Sequence, residues 1–261
     1  GSDVVITIAD HVGNPPASGD YVINVLTSGG DDADGTVTIV PASFLVEPAA
    51  VTAGTAFAVT VTAQNVLEAT DTGYTDGHFI DFSSAGTGQI PAFEYLNFVS
   101  GTKTSPANFI LTVAGEADVD ITASEGSLTG TSDEITIAPG ALDSFTMTGV
   151  PASVVSGVAF TGDITVTAYD ACDNIVTDYT GTVDWTSTDT ATAGSGLPAQ
   201  YTFDTGEGEE DNGVHAFLAS DFILETAGDQ TITVTEGDVF EISGDIVVVA
   251  AAMDSLDVAV S

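Results

Sequence analysis

The sequence predicts an all-β chain of many short strands, arranged as sandwiches or barrels, on three observations. Apolar residues recur at every second position in "DYVINVLTS" (20–28), "TAFAVTVTA" (55–63), "GDITVTAYD" (162–170) and "DQTITVTEG" (229–237). Val, Ile, Thr, Phe and Tyr give these stretches the β-branched and aromatic character of half-buried strands. Clusters of Gly, Asp, Asn, Ser and Pro, such as "HVGNPPASG" and "GEGEEDNG", interrupt them at short intervals. No segment of ten or more residues carries a 3.6-residue period, so helices are not expected.

Taken in order, the elements repeat. Residues 19–40, 116–138 and 228–250 each read as a strand, a polar Gly-containing turn and a final strand, which makes three closing units. Opening units begin at Phe44, Phe145 and Leu256, and "ASFLVEPAAVTAGTAFAVTVTA" (42–63) parallels "DSFTMTGVPASVVSGVAFTGDITVTA" (143–168). Only two complete middles lie between them, at 64–115 and 169–227. The expected organisation is therefore a partial repeat over 1–40 holding closing strands, whole repeats over 41–138 and 139–250, and an opening strand over 251–261.

Charge bounds the surroundings. Thirty-nine Asp and Glu face one Lys (Lys103), no Arg and three His among 261 residues, a formal charge of −38. Nucleic acid is excluded as a partner, because phosphate binding needs a basic patch. An anionic membrane surface is excluded by the same repulsion, and no apolar run reaches the roughly 18 residues of a membrane-spanning helix. Such a chain repels itself at low ionic strength. Abundant solvent cations are expected around it, as screening salt or as Ca²⁺ held by carboxylates, which points to brine, seawater or another extracellular medium. A hydrophobic content of 43% separates it from disordered acidic chains. Cys172 stands alone, so no internal disulfide forms, and carboxylates on both sides disfavour a reactive thiolate there.

The stretch "PASVVSGVAFTGDITVTAYDACDNIVTDYTGTVDWTS" (151–187) resembles the immunoglobulin-like β-sandwich repeats of bacterial and archaeal cell-surface and filament proteins. The resemblance rests on Pro151, the acidic turn of Asp170, Asp173 and Asn174, and then Tyr179, Gly181 and Val183. "DNGVHAF" (211–217) and "AGDQTITVT" (227–235) also suit that family. The first repeat keeps Gly73, Tyr74 and Gly77 but departs from the family's turn in "AQNVLEATDTGYTDGHF". The resemblance covers roughly residues 41–250. It implies tandem immunoglobulin-like domains serving as spacers, adhesins or lattice components, because this fold hosts all of these.

The partial repeats suggest how copies join. An incomplete sandwich leaves unpaired backbone groups beside an apolar groove, and an extended segment from another molecule can close it by strand addition. The expected acceptor is Val5, Ile6, Ile8, Tyr21, Ile23, Val25, Val37 and Ile39. The expected donor is Leu256, Val258 and Val260, which alternate along "MDSLDVAVS". Burying three such side chains contributes about 5–8 kcal/mol gross. Donor and acceptor differ, so the contact is head-to-tail and propagates as a filament. In the other reading, the chain is a piece of a longer repeat protein whose neighbouring repeats supply the missing strands. It is then a Ca²⁺-dependent adhesin or its extender segment.

Candidate chemistry is sparse. Asp31, Asp32 and Asp34 in "GGDDADG", and Asp170, Asp173 and Asn174 in "YDACDN", offer hard oxygen donors on turns, which suit Ca²⁺. Neither has EF-hand spacing. His11, His78 and His215 lack zinc-ligand spacing, no G-x-S-x-G elbow occurs, and paired carboxylates stand on nearly every loop. Trp185, alternating with Val183, reads as a core aromatic. Enzymatic activity is not expected.

Overall fold

Alternation in sequence becomes alternation in burial wherever the strands pair. From Ile164 to Asp170 every second residue is buried, and Val59, Val61 and Ala63 are fully so. A one-residue slip would turn each of these sets to solvent, so the register is held by the core itself. The computed structural model describes residues 19–26, 32–39, 41–190, 196–206 and 210–252. Val5, Ile6, Ile8, His11, Asp31, Leu256, Val258 and Val260 lie outside them. The chain divides into two compact units, Gly1–Ala138 and Pro139–Ser261.

The first unit opens with a hairpin of β1 (Gly19–Leu26) and β2 (Asp32–Ile39), running from Gly19 opposite Ile39 to Leu26 opposite Asp32. There follow β3 (Ser43–Pro48), β4 (Val51–Thr52), β5 (Val59–Gln64), β6 (Asp76–Ser83), β7 (Gly88–Gln89), β8 (Phe93–Phe98), β9 (Thr102–Thr104), β10 (Ile110–Leu111), β11 (Thr122–Glu125), β12 (Leu128–Thr131) and β13 (Ile137–Ala138). One sheet has the order β3-β5-β9 and the other β12-β11-β6-β8. Their inner faces share one core. Phe44, Val59, Val61 and Ala63 come from the first sheet, and Ile80, Leu96, Phe98 and Ala123 from the second. Phe109, on the loop before β10, is fully buried and meets Phe82 edge-on at 5.0 Å.

The second unit repeats this plan with β14 (Leu142–Thr148), β15 (Ser153–Val155), β16 (Ile164–Asp170), β17 (Thr182–Ser187), β18 (Tyr201–Thr202), β19 (Val214–Phe217), β20 (Gly228–Gln230), β21 (Ile232–Glu236), β22 (Val239–Ile242) and β23 (Ile246–Val249). Sheet β14-β16-β19 faces sheet β18-β17-β21-β22. Both units also pair a short early strand in parallel with their last one, β4 with β13 and β15 with β23. Trp185 stands in the core as its alternation predicts, edge-on to Phe217 at 5.0 Å and to Phe222 at 4.9 Å. Among the described residues the only helical element is a 3-10 turn, Ala219–Asp221, and no helix is long and apolar enough to cross a membrane.

Candidate functional site

The acidic turn of the second unit is built around one carboxylate. Asp170 ends β16 and is 2% exposed. Its Oδ1 accepts the backbone N–H groups of Cys172 (2.8 Å) and Asn174 (2.9 Å), and its Oδ2 accepts that of Gly140 (2.7 Å). The Asn174 side-chain amide donates to both oxygens, at 3.1 and 3.0 Å. Burial pushes the Asp170 carboxyl up, but the N–H donors of Gly140, Asn174 and Cys172 outweigh it and hold it below the ordinary aspartate value. The lone pairs nominated for Ca²⁺ are thus directed at N–H groups. Asp173, at φ +63°, supplies the left-handed residue that lets the turn close.

The first unit forms the same loop, contrary to the departure that its sequence suggested. Asn65 takes the place of Asp170, with its Oδ1 accepting the N–H groups of Leu67 (2.9 Å) and Ala69 (3.3 Å). Backbone bonds correspond one for one: Glu68 N–H to Asn65 C=O matches Asp173 to Asp170, Asp71 to Ala63 matches Val176 to Ala168, and Tyr74 to Asp71 matches Tyr179 to Val176. Glu68, at φ +60°, matches Asp173. What both turns need is a side-chain oxygen at their first corner, and either an amide or a carboxylate supplies it. The residue types hide this equivalence; counting from Ala63 and Ala168 reveals it.

Each loop leads to a buried tyrosine. Tyr74 Oη donates to Glu125 Oε2 and Tyr179 Oη to Glu236 Oε2, both at 2.5 Å. Burial and then the neighbouring carboxylate raise each phenol well above its ordinary value, so both remain donors. These bonds tie the loops after β5 and β16 to the sheet opposite. Replacing Tyr179 by Phe is expected to cost about 1–2 kcal/mol, read as a lower melting temperature of the second unit with the first unchanged.

Among the described residues, His78 and His215 each stand beside a tyrosine and a carboxylate. His78 Nδ1 lies 3.0 Å from Glu125 Oε1, with its ring stacked on Tyr74 at 4.0 Å. His215 Nδ1 lies 2.7 Å from Asp211 Oδ1, with its ring on Tyr201 at 3.7 Å. Among the described residues no three His, Cys, Asp or Glu side chains are placed to hold one metal ion. Asp32 and Asp34, expected in a turn, fall in β2, where pairing with Leu26 and Asn24 draws the acidic stretch into the ladder.

The acceptor positions within the described residues converge. In the β1–β2 register, Tyr21 lies opposite Val37, Ile23 opposite Gly35, Val25 opposite Ala33 and Gly19 opposite Ile39. Directly opposed residues share a face. Tyr21, Ile23, Val25, Val37 and Ile39 therefore occupy one face of the hairpin, interspersed with Gly and Ala. Asp20, Asn24, Asp32, Asp34, Thr36 and Thr38, with Val22 and Leu26 among them, occupy the other. Among the described residues the hairpin forms a two-stranded sheet with no third strand.

No protein-family model matches the chain, and no curated protein matches it. Solved structures similar to it include the Escherichia coli adhesin FdeC, at 19% identity and a TM-score of 0.47, with 89% of this chain and 74% of that chain covered. The surface-layer protein SbsC, domains 1–6, is similar at 18% identity and a TM-score of 0.32, with 85% of this chain and 30% of that chain covered. The tandem immunoglobulin repeats of Dlar are similar at 13% identity and a TM-score of 0.23, covering 81% and 98%. By its own strand order and its two separate cores, the chain carries tandem immunoglobulin-like sandwiches.

Proposed function

We propose that this protein is an extracellular structural subunit whose β1–β2 hairpin receives a strand from another copy, so that copies join head to tail in a filament or surface lattice. The observation carrying this reading is the hairpin itself. It has two eight-residue strands, one apolar face, and no third strand among the described residues. Two strands alone are marginal in water, and an apolar hairpin face needs a cover. Residues 251–261, with Leu256, Val258 and Val260 at alternate positions, have the pattern such a cover requires. The charge of −38 supports a setting rich in cations, where repulsion between copies is screened.

Assembly should then follow salt and one short segment. In high salt the full chain is expected to form filaments visible by negative-stain microscopy. A chain ending at Ala250 should keep both melting transitions yet stay monomeric, and a synthetic peptide of residues 251–261 should cap growth of the full chain. A truncated chain that polymerises like the full one overturns the reading. So does a full chain that stays monomeric at every salt concentration.

A further inference from the structure

The outer face of the first unit's larger sheet carries a cluster of aromatic side chains that neither core uses. Phe79 on β6 and Phe93 and Tyr95 on β8 are 61%, 59% and 54% exposed, large values for three neighbouring rings. Phe79 lies directly opposite Tyr95, with ring centroids 5.0 Å apart and planes inclined by 55°. Phe93 lies diagonally from Phe79, at 6.1 Å and 62°. Tyr95 is laid across Gly77, where a Cβ would sit 1.8 Å from its Oη, so that ring is held down on the sheet. Asp81, exposed, is opposite Phe93 and two residues from Phe79, and so stands on the same face.

The fold does not require these rings. The second unit has the same sheet, and Ser84 and Ser187, each donating its hydroxyl to a backbone carbonyl across the sheet, mark equivalent positions. Counting back from them, the counterpart of Phe79 is Thr182, whose hydroxyl bonds to that of Thr202 at 2.8 Å, and the counterpart of Asp81 is Asp184. A polar pair therefore serves the same strand junction, and the three-ring cluster is particular to the first unit. Among the described residues, the outer face of the second unit's sheet carries only Phe240 and Ile242 as large exposed apolar side chains, on its edge strand β22.

We infer that this face binds an arginine-bearing segment of another protein, with the guanidinium seated on Phe79, Phe93 and Tyr95 and paired with Asp81. Charge selects the occupant. A second copy has no arginine and one lysine and so brings no guanidinium to these rings, whereas a cationic side chain gains from them and from Asp81 at contact distance, where salt screens least. Ring geometry agrees, because planes inclined by more than 50° make a faceted surface. A compact planar cation fits between inclined faces and gains from each ring within about 6 Å.

The probe is a peptide of alternating Arg and Ser, with an alternating Gln and Ser peptide as its neutral control. Binding to the full chain is measured at about 1 M salt, where the Debye length is about 3 Å and general attraction to a polyanion is suppressed. The Arg peptide is expected to bind and the Gln peptide not to. The Phe79→Ser, Phe93→Ser double variant should bind about tenfold more weakly, with both melting transitions retained. Asp81→Asn changes only a solvent-facing carboxylate and should weaken binding severalfold, which keeps the test decisive if the double variant melts early. Arg-peptide binding unaffected by these substitutions would mean bulk charge alone and overturn the inference. Equal binding of the Gln peptide overturns it in favour of a neutral occupant. Self-association of the unmodified chain that the double variant abolishes overturns it in favour of a second copy.

Discussion

Replacing Asp170 by Ala is expected to destabilise the second unit by about 3 kcal/mol, because the backbone N–H groups of Gly140, Cys172 and Asn174 lose their acceptor together. For a unit of this size that lowers its melting temperature by about 12 °C or more. Asp170→Asn should cost about half as much. Its single carbonyl oxygen can still accept from Cys172 and Asn174, as Asn65 does for Leu67 and Ala69, while the Gly140 bond is lost. The two variants also differ from the parent in acid. The folded carboxyl lies below its ordinary value of about 3.9. Its contribution is therefore present above that value and disappears as pH falls through the lower folded one. Protonation elsewhere relieves self-repulsion of the −38 chain and acts in the opposite direction. The diagnostic is thus the difference in melting temperature between parent and Asp170→Asn, which should shrink toward zero on acidification. A constant difference would show that the carboxylate's charge is irrelevant to the turn.

Gly101→Ala and Gly213→Ala should each cost about 3 kcal/mol, one in each unit. Gly101 at φ +84° and Gly213 at φ +77° donate no side chain but accept, through their carbonyls, the N–H groups of Ala63 and Ala168. A Cβ at Gly101 would lie 2.4 Å from the Asp71 carbonyl oxygen, and one at Gly213 equally close to that of Val176. Both obstacles are backbone atoms of the loops after β5 and β16, so neither can swing aside. Gly126→Ala is the control, since its φ of +59° carries the same left-handed penalty but a Cβ there meets nothing within 4 Å. It should cost only about 1–2 kcal/mol. Equal losses at Gly101 and Gly126 would show that conformation, and not the close approach, sets the cost.

Period-2 reading succeeded where one side of a strand is apolar and the other polar. β16 and β5 are of this kind, and their alternating apolar residues are buried, with Thr62 of β5 buried beside them. It had no power over β8, "FEYLNF", where aromatic or aliphatic residues occupy both sides. Only pairing with β6 shows that Leu96 and Phe98 face the core while Phe93 and Tyr95 face solvent. The first unit's loop was misread for a different reason. Asn65 and Asp170 differ in charge but share an acceptor oxygen in one place, and geometry conserves the oxygen. Asp32 and Asp34 were misplaced because composition marks a turn, whereas register decides where a ladder stops.

By itself the sequence determined the β architecture, the repetition and the strongly acidic balance of the chain. Each of these follows from local pattern or from total charge, neither of which depends on how strands pair. Tertiary structure alone decided that the Asp170 carboxylate also holds the Gly140 N–H, and which aromatic rings are left facing water. Those outcomes depend on contacts between residues tens of positions apart. They exist only once two sheets have packed and a register has been chosen.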